Sequence, residues 1–209
     1  MGKVVAFTNP KGGVGKSTLS VHLAARLWEK GSKVALVDAD VQGSSSDWIR
    51  EAIPELELIR LQSPDEMLEE IPQLKTRFDH IVIDGPAGLS DVTRAALFVT
   101  DVSFLPCGPS ALDLRAANNV IRVLRQAQAI RQGPPVAVLI PNKLQARYRL
   151  SRELVEIGRT LGIPVMSGLR LLQAYADAAG QGKVVWRMGA GAEAATCEMN
   201  QFLEELVRV

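Results

Sequence analysis

The chain is short of cysteine, of net charge and of long apolar runs, and each shortage removes a class of function. Its two cysteines, Cys107 and Cys197, have no CxxC spacing. They read as reduced, mostly buried thiols rather than a disulfide framework or a metal site. A formal net charge of +1 means that any affinity for nucleic acid or an acidic surface must come from local clusters. No window approaches the roughly 18 apolar residues needed to cross a bilayer, and the N-terminus reads as a strand rather than a signal peptide, which points to the cytoplasm. Repeats, low-complexity stretches and linkers are also missing. What remains is 209 residues, 47% hydrophobic and 22% charged, enough for one well-buried α/β domain spanning residues 1–209.

Short apolar runs alternate with longer amphipathic segments. Val4 to Thr8 reads as a buried strand, Ser17 to Lys30 as a helix and Lys33 to Asp38 as a second strand after the Gly31 stop. Leu56 to Leu61 reads as a short strand, Pro64 to Arg77 as a helix opened by Ser63, and His80 to Asp84 as a strand. Val92 to Val99 looks helical, Val102 to Pro106 extended, Leu112 to Arg131 helical and Val136 to Pro141 extended. Helices are expected from Ser151, acting as a cap, to Leu161, and from Ala192 to Val207. This alternation implies parallel βαβ units in a mostly parallel, twisted sheet covered by helices on both faces.

The first strand–turn–helix contains Lys11-Gly12-Gly13-Val14-Gly15-Lys16-Ser17-Thr18. Its glycines allow backbone N–H groups to converge on an anion, and the following helix N-terminus adds partial positive charge. Lys16 is placed to reach the β- and γ-phosphates of a nucleotide, and the Ser17 hydroxyl to join the shell of a Mg²⁺ ion. The general phosphate-loop pattern is not fully met, because Pro10 occupies its first glycine position. The stretch instead resembles the deviant Walker A motif, KGGxGK[ST]T, of the ParA/MinD-type ATPases. The resemblance implies a P-loop fold, ATP and Mg²⁺ as cofactors, and an ATP-bound homodimer in which Lys11 reaches the nucleotide of the other subunit. Lys11 would there neutralise charge that develops on the transferred phosphoryl group.

Further stretches follow in the family's order. Asp38-Ala39-Asp40-Val41-Gln42 is similar to its DxDPQ segment, with Val41 in place of proline. Period-two geometry puts Asp38 and Asp40 on one side of an extended chain. By resemblance, Asp40 orients the attacking water, while Asp38 supports the loop lysine and the metal shell. Ile81-Val82-Ile83-Asp84 looks like a Walker B strand whose Asp84 holds Mg²⁺ through water, and Gly85, Pro86 and Gly88 form a candidate switch beyond it. Pro106 to Leu114 looks like the family's PxxPSxLD stretch, with Ser110 capping the next helix near a dimer interface. Asn142 is similarly placed to an asparagine that contacts adenine.

The resemblance runs from Val4 to about Lys143 and is strongest to the small partitioning ATPases without an N-terminal helix-turn-helix, since strand one begins close to Met1. Nonspecific DNA binding through phosphate contacts is therefore expected rather than operator recognition. Arg147, Arg149, Arg152, Arg159 and Arg170 are the candidates, with Lys183 and Arg187 beside them. The implied cycle is a slow ATPase on the nucleoid, stimulated by a ParB-like or other small adaptor, that segregates or spaces a cargo. The alternatives are a MinD-like role at a membrane and a role in metal-cluster assembly. Glu204 and Glu205 in the last helix oppose the first, and the lone cysteines oppose the second.

Overall fold

The computed structural model describes residues 2–145, 153, 156, 158 and 160–209. Among them are six strands and seven helices. The strands are β1 (Lys3–Phe7), β2 (Val34–Asp38), β3 (Glu57–Arg60), β4 (His80–Asp84), β5 (Val102–Cys107) and β6 (Val136–Pro141). The helices are α1 (Lys16–Glu29), α2 (Ser44–Ala52), α3 (Pro64–Arg77), α4 (Asp91–Val99), α5 (Ala111–Arg131), α6 (Gln173–Gly180) and α7 (Glu193–Val207). A 3₁₀ turn at Val185–Arg187 lies between α6 and α7.

The strands form one sheet in the order β3-β2-β4-β1-β5-β6, and every pairing is parallel. The near-continuous apolar strands are what a sheet buried on both faces requires. Alternate residues feed opposite cores. Val5, Phe7, Leu36, Val82, Phe104 and Val138 pack with α1, α2, α6 and α7, whereas Val4, Ala6, Val37, Ile81 and Ile83 pack with α3 and α4. Leu105 and Leu139 extend that second face beneath α5.

Element edges agree with local chemistry. α3 begins where the sequence pattern put it because Ser63 and Glu66 form a reciprocal capping box with Pro64 in the first turn. Its Met67, Ile71 and Leu74 are buried, each contributing ~1.5–3 kcal/mol of apolar burial. Ser110 caps α5 by accepting the Asp113 N–H at 3.1 Å, as its sequence context predicts. The pattern reading passes over α2, whose serine-rich start has weak helix propensity, and over α6. The helix expected from Ser151 to Leu161 lies mostly outside the described residues, its Ser151 cap included.

Cys107 is buried, as expected, but Cys197 is exposed, which corrects the pairing of the two as buried thiols. Cys197 lies on an outer position of α7, between the turns that carry buried Ala195 and Met199. No helix among the described residues is long and apolar enough to cross a membrane.

Candidate functional site

Parallel strands deliver their carboxyl ends to one edge, and in such sheets that edge is where ligands bind. Here β1, β2, β4 and β5 bring four loops together. The loop after β1 turns through Gly13 (φ +73°) and Gly15 (φ +103°), values that disfavour side chains. Asn9 organises its start. Its amide donates to the Pro106 carbonyl at 2.8 Å, and its Oδ1 accepts the Lys11 N–H at 2.9 Å. No side chain caps α1, and its first turn holds no acid, so its N–H groups are free to meet an anion.

Lys16 is nearly buried and donates to the Lys11 carbonyl at 3.3 Å. Burial lowers its pKa, against Asp84 and Asp40, which favour the charged amine. Lys11 points elsewhere: its Nζ lies 2.7 Å from Asp113 Oδ1 at the start of α5. That partner lies far along the chain, and the PxxPSxLD resemblance identified its segment but not its contact.

The three aspartates occupy different environments. Asp38 and Asp84 are register neighbours on β2 and β4, and both are buried. Asp38 accepts the Asp40 N–H at 3.0 Å, and its other oxygen accepts the Ser46 N–H at 2.9 Å and the Ser46 hydroxyl at 2.5 Å. Asp84 has no hydrogen-bond partner at either oxygen. Burial pushes its pKa up to about 7, with the Ser17 and Ser45 hydroxyls acting in the opposite direction. A carboxylate orphaned in this way beside a phosphate-type loop is a fit for a cation and its waters. The Ser17 hydroxyl and the Asp84 carboxylate carry oxygen donors of the hard kind that suit Mg²⁺ and its waters.

Asp40 is half-buried and ties two loops. It accepts the Gln42 N–H at 3.0 Å and, through its other oxygen, the Ala87 N–H at 3.1 Å. The Gly85–Gly88 segment also reaches the first loop, because the Gly88 N–H donates to the Pro10 carbonyl at 2.8 Å. Pro10 therefore supplies an anchor for the candidate switch, since that contact uses only its carbonyl. Gly85 itself passes so close to β1 that a Cβ would lie 2.7 Å from the Phe7 carbonyl oxygen.

Asn142 stands against the loop from the other side. Its amide donates to the Val14 carbonyl at 2.7 Å, and its oxygen accepts the Lys143 N–H at 2.9 Å. Beyond it opens a cleft with mostly apolar walls, lined by Gly15, Thr18, Leu169, Leu171, Leu172 and Tyr175. This is space for a flat, partly apolar group next to a phosphate loop. Sequence reading found Asn142 but not the 169–175 wall, which carries no motif.

Among the arginines singled out for DNA, Arg147, Arg149, Arg152 and Arg159 lie outside the described residues. Arg170 is not a free cation: its Nε donates to Glu198 Oε2 at 2.6 Å, an acid contributed by α7. Arg187 is likewise engaged, with Glu29 at 2.7 Å and the Ala52 carbonyl at 2.9 Å. Neither partner is close in sequence, so composition alone showed an excess charge that the fold neutralises.

Residues 5–185 match the family described as the CobQ/CobB/MinD/ParA nucleotide binding domain. The maintenance of carboxysome distribution protein A of Halothiobacillus neapolitanus is 30% identical over 210 residues, covering 97% of this chain and 95% of that protein. Among solved structures, apo McdA of Cyanothece superposes with a TM-score of 0.82 at 13% identity, covering 99% of this chain and all (100%) of the other. An ATP complex of a variant of that protein superposes at 0.77, with 14% identity and coverage of 100% and 97%. The Mg-ADP complex of the septum site-determining protein MinD from Pyrococcus horikoshii reaches 0.76 at 21% identity, covering 99% and 96%.

Proposed function

Because the chain belongs to the CobQ/CobB/MinD/ParA nucleotide-binding family, we propose that it is a Mg²⁺-dependent positioning ATPase that dimerises over ATP and binds DNA in that state. The observation that carries the reading is the juxtaposition of an uncapped α1 N-terminus with Asp84, a buried carboxylate with no hydrogen bond at either oxygen. One element suits a polyphosphate and the other suits its cation.

In this reading the phosphates lie along Gly12 to Thr18, with Lys16 leaving the Lys11 carbonyl to meet them. Ser17 and Asp84 hold the cation, which when bound neutralises charge on the phosphoryl oxygens. Asp38 is already committed to Ser46 and Asp40, so it acts by fixing the Asp40 loop. Asp40 orients the attacking water. Its bond to Ala87 couples that water to the Gly85–Gly88 segment, which can therefore report whether a γ-phosphate is present. The 169–175 wall takes the base, with Asn142 steadying the loop between.

Lys11 acts in trans. In a single chain it rests on Asp113, so closing the dimer exchanges an internal ion pair for one with the partner's nucleotide. Positioning and electrostatics supply most of the catalysis, which suits slow turnover that an adaptor protein accelerates. The cargo is a protein body or a replicon; the similarity to a carboxysome-distribution protein favours the former. Contacts to DNA are nonspecific and salt-sensitive. The apolar residues of α7, Met199, Phe202, Leu203 and Leu206, are packed in the core, so a lipid-binding role for that helix is not favoured.

Sedimentation with a nonhydrolysable ATP analogue tests the proposal. The wild-type chain is expected to dimerise and Lys11→Ala to remain monomeric while still binding nucleotide. A monomer in both cases would refute the sandwich.

A further inference from the structure

We propose that Ser45 is a positioning residue of the cation site, its hydroxyl completing the hydrogen-bond shell that aims Asp84 at a nucleotide-bound Mg²⁺. The inference deepens the nucleotide reading above and rests on it.

Three serines open α2, and the structure uses them differently. Ser44 is exposed. Ser46 is spent on Asp38, to which it gives both its N–H and its hydroxyl. Ser45 is completely buried, yet its Oγ has no hydrogen-bond partner. Buried hydroxyls seldom lack one, so an isolated orphan calls for an explanation.

The orphan is not isolated. Among the described residues, the buried side-chain atoms without a hydrogen bond are Ser45 Oγ, both Asp84 oxygens and Asp113 Oδ1, and the last is ion-paired to Lys11. The other three belong to one place. The β2–β4 register sets Asp38 beside Asp84, and the Ser46 clamp pins the start of α2 to Asp38. Ser45, next to Ser46 in the first turn of α2 and fully buried, is thereby held at the same sheet edge as Asp84.

A hydroxyl has one donor and two acceptor positions. It can therefore donate to one Asp84 oxygen and accept from a water on the cation at once, which satisfies its own Oγ and that oxygen and leaves the other Asp84 oxygen for the cation's shell. Partners of this kind orient the groups that hold a metal without touching it, and their loss weakens metal affinity by about 10–100-fold. Ser45→Ala removes the hydroxyl and leaves a side chain that fits the same space.

The test uses Mn²⁺ as the probe, followed by electron paramagnetic resonance on the full chain with ADP bound, together with ADP titrations in EDTA. Ser45→Ala is expected to weaken Mn²⁺ binding at least about tenfold while leaving ADP affinity in EDTA and the metal-free melting temperature unchanged. A merely structural serine would lower the metal-free values instead. Mn²⁺ affinity within about twofold of wild type, outside the range for such partners, would overturn the role of Ser45, as would an equal loss in EDTA. A wild-type chain that binds no Mn²⁺ with ADP would overturn the nucleotide reading itself.

Discussion

Mild acid should destabilise the protein through His22, one of its two histidines. His22 lies on α1, fully buried, with Trp48, Tyr175 and Trp186 edge-on around it. Its Nδ1 contacts the Thr18 carbonyl at 2.7 Å, and its Nε2 accepts the Val185 N–H at 3.1 Å. A carbonyl only accepts, so the ring is the neutral Nδ1–H tautomer. Protonation would place a second N–H against that of Val185, away from solvent. Burial accordingly holds the pKa down at about 4, against an ordinary 6.5.

The unfolded chain takes up this proton near pH 6.5 and the folded chain only near 4. The stabilisation is complete above 6.5 and is lost as pH falls towards 4, at ~1.4 kcal/mol per unit and ~3 kcal/mol in all. Asp84 runs the other way. Its folded pKa is raised to about 7 from 3.8, so the folded state holds a proton that the unfolded state has lost, and acid stabilises through that group. Comparing wild type with His22→Gln removes the Asp84 contribution, which both share. Urea denaturation without nucleotide or metal, repeated across pH 7 to 4, should show the wild type's advantage shrinking by ~3 kcal/mol. Parallel curves, or a His22 ring titrating near its ordinary value by NMR, would refute the reasoning.

Gly15→Ala is expected to abolish binding of a fluorescent ADP analogue and to cost ~1–3 kcal/mol of stability, because a strained backbone and a steric conflict coincide. Gly15 sits at φ +103° and its Cβ would lie 2.2 Å from Asn142 Nδ2; wild-type binding would show that the loop yields more easily than its contacts imply. Asp113→Asn should release Lys11 for the partner subunit. Lys11 keeps 40% of its side-chain surface, so the pair contributes ~1 kcal/mol or less per protomer. A few-fold tighter dimer with a nonhydrolysable ATP analogue should follow in sedimentation, and an unchanged dimer constant would mean that Asp113 does not compete for the lysine.

By itself the sequence determined the strand–helix alternation, the phosphate-type loop and the strand-ending aspartates Asp38 and Asp84. These are legible because period-two and period-3.6 patterns, caps such as Ser63 and Ser110, and glycine turns act over a few residues. Only the tertiary structure decided what those residues touch. The strand order set Asp38 beside Asp84, and packing of α2 buried Ser45 near them. The approach of α5 gave Lys11 its resting partner, and α7 neutralised Arg170. Such contacts join residues far apart in the chain and depend on register and helix placement, which the cooperative burial of both sheet faces selects and no local pattern encodes.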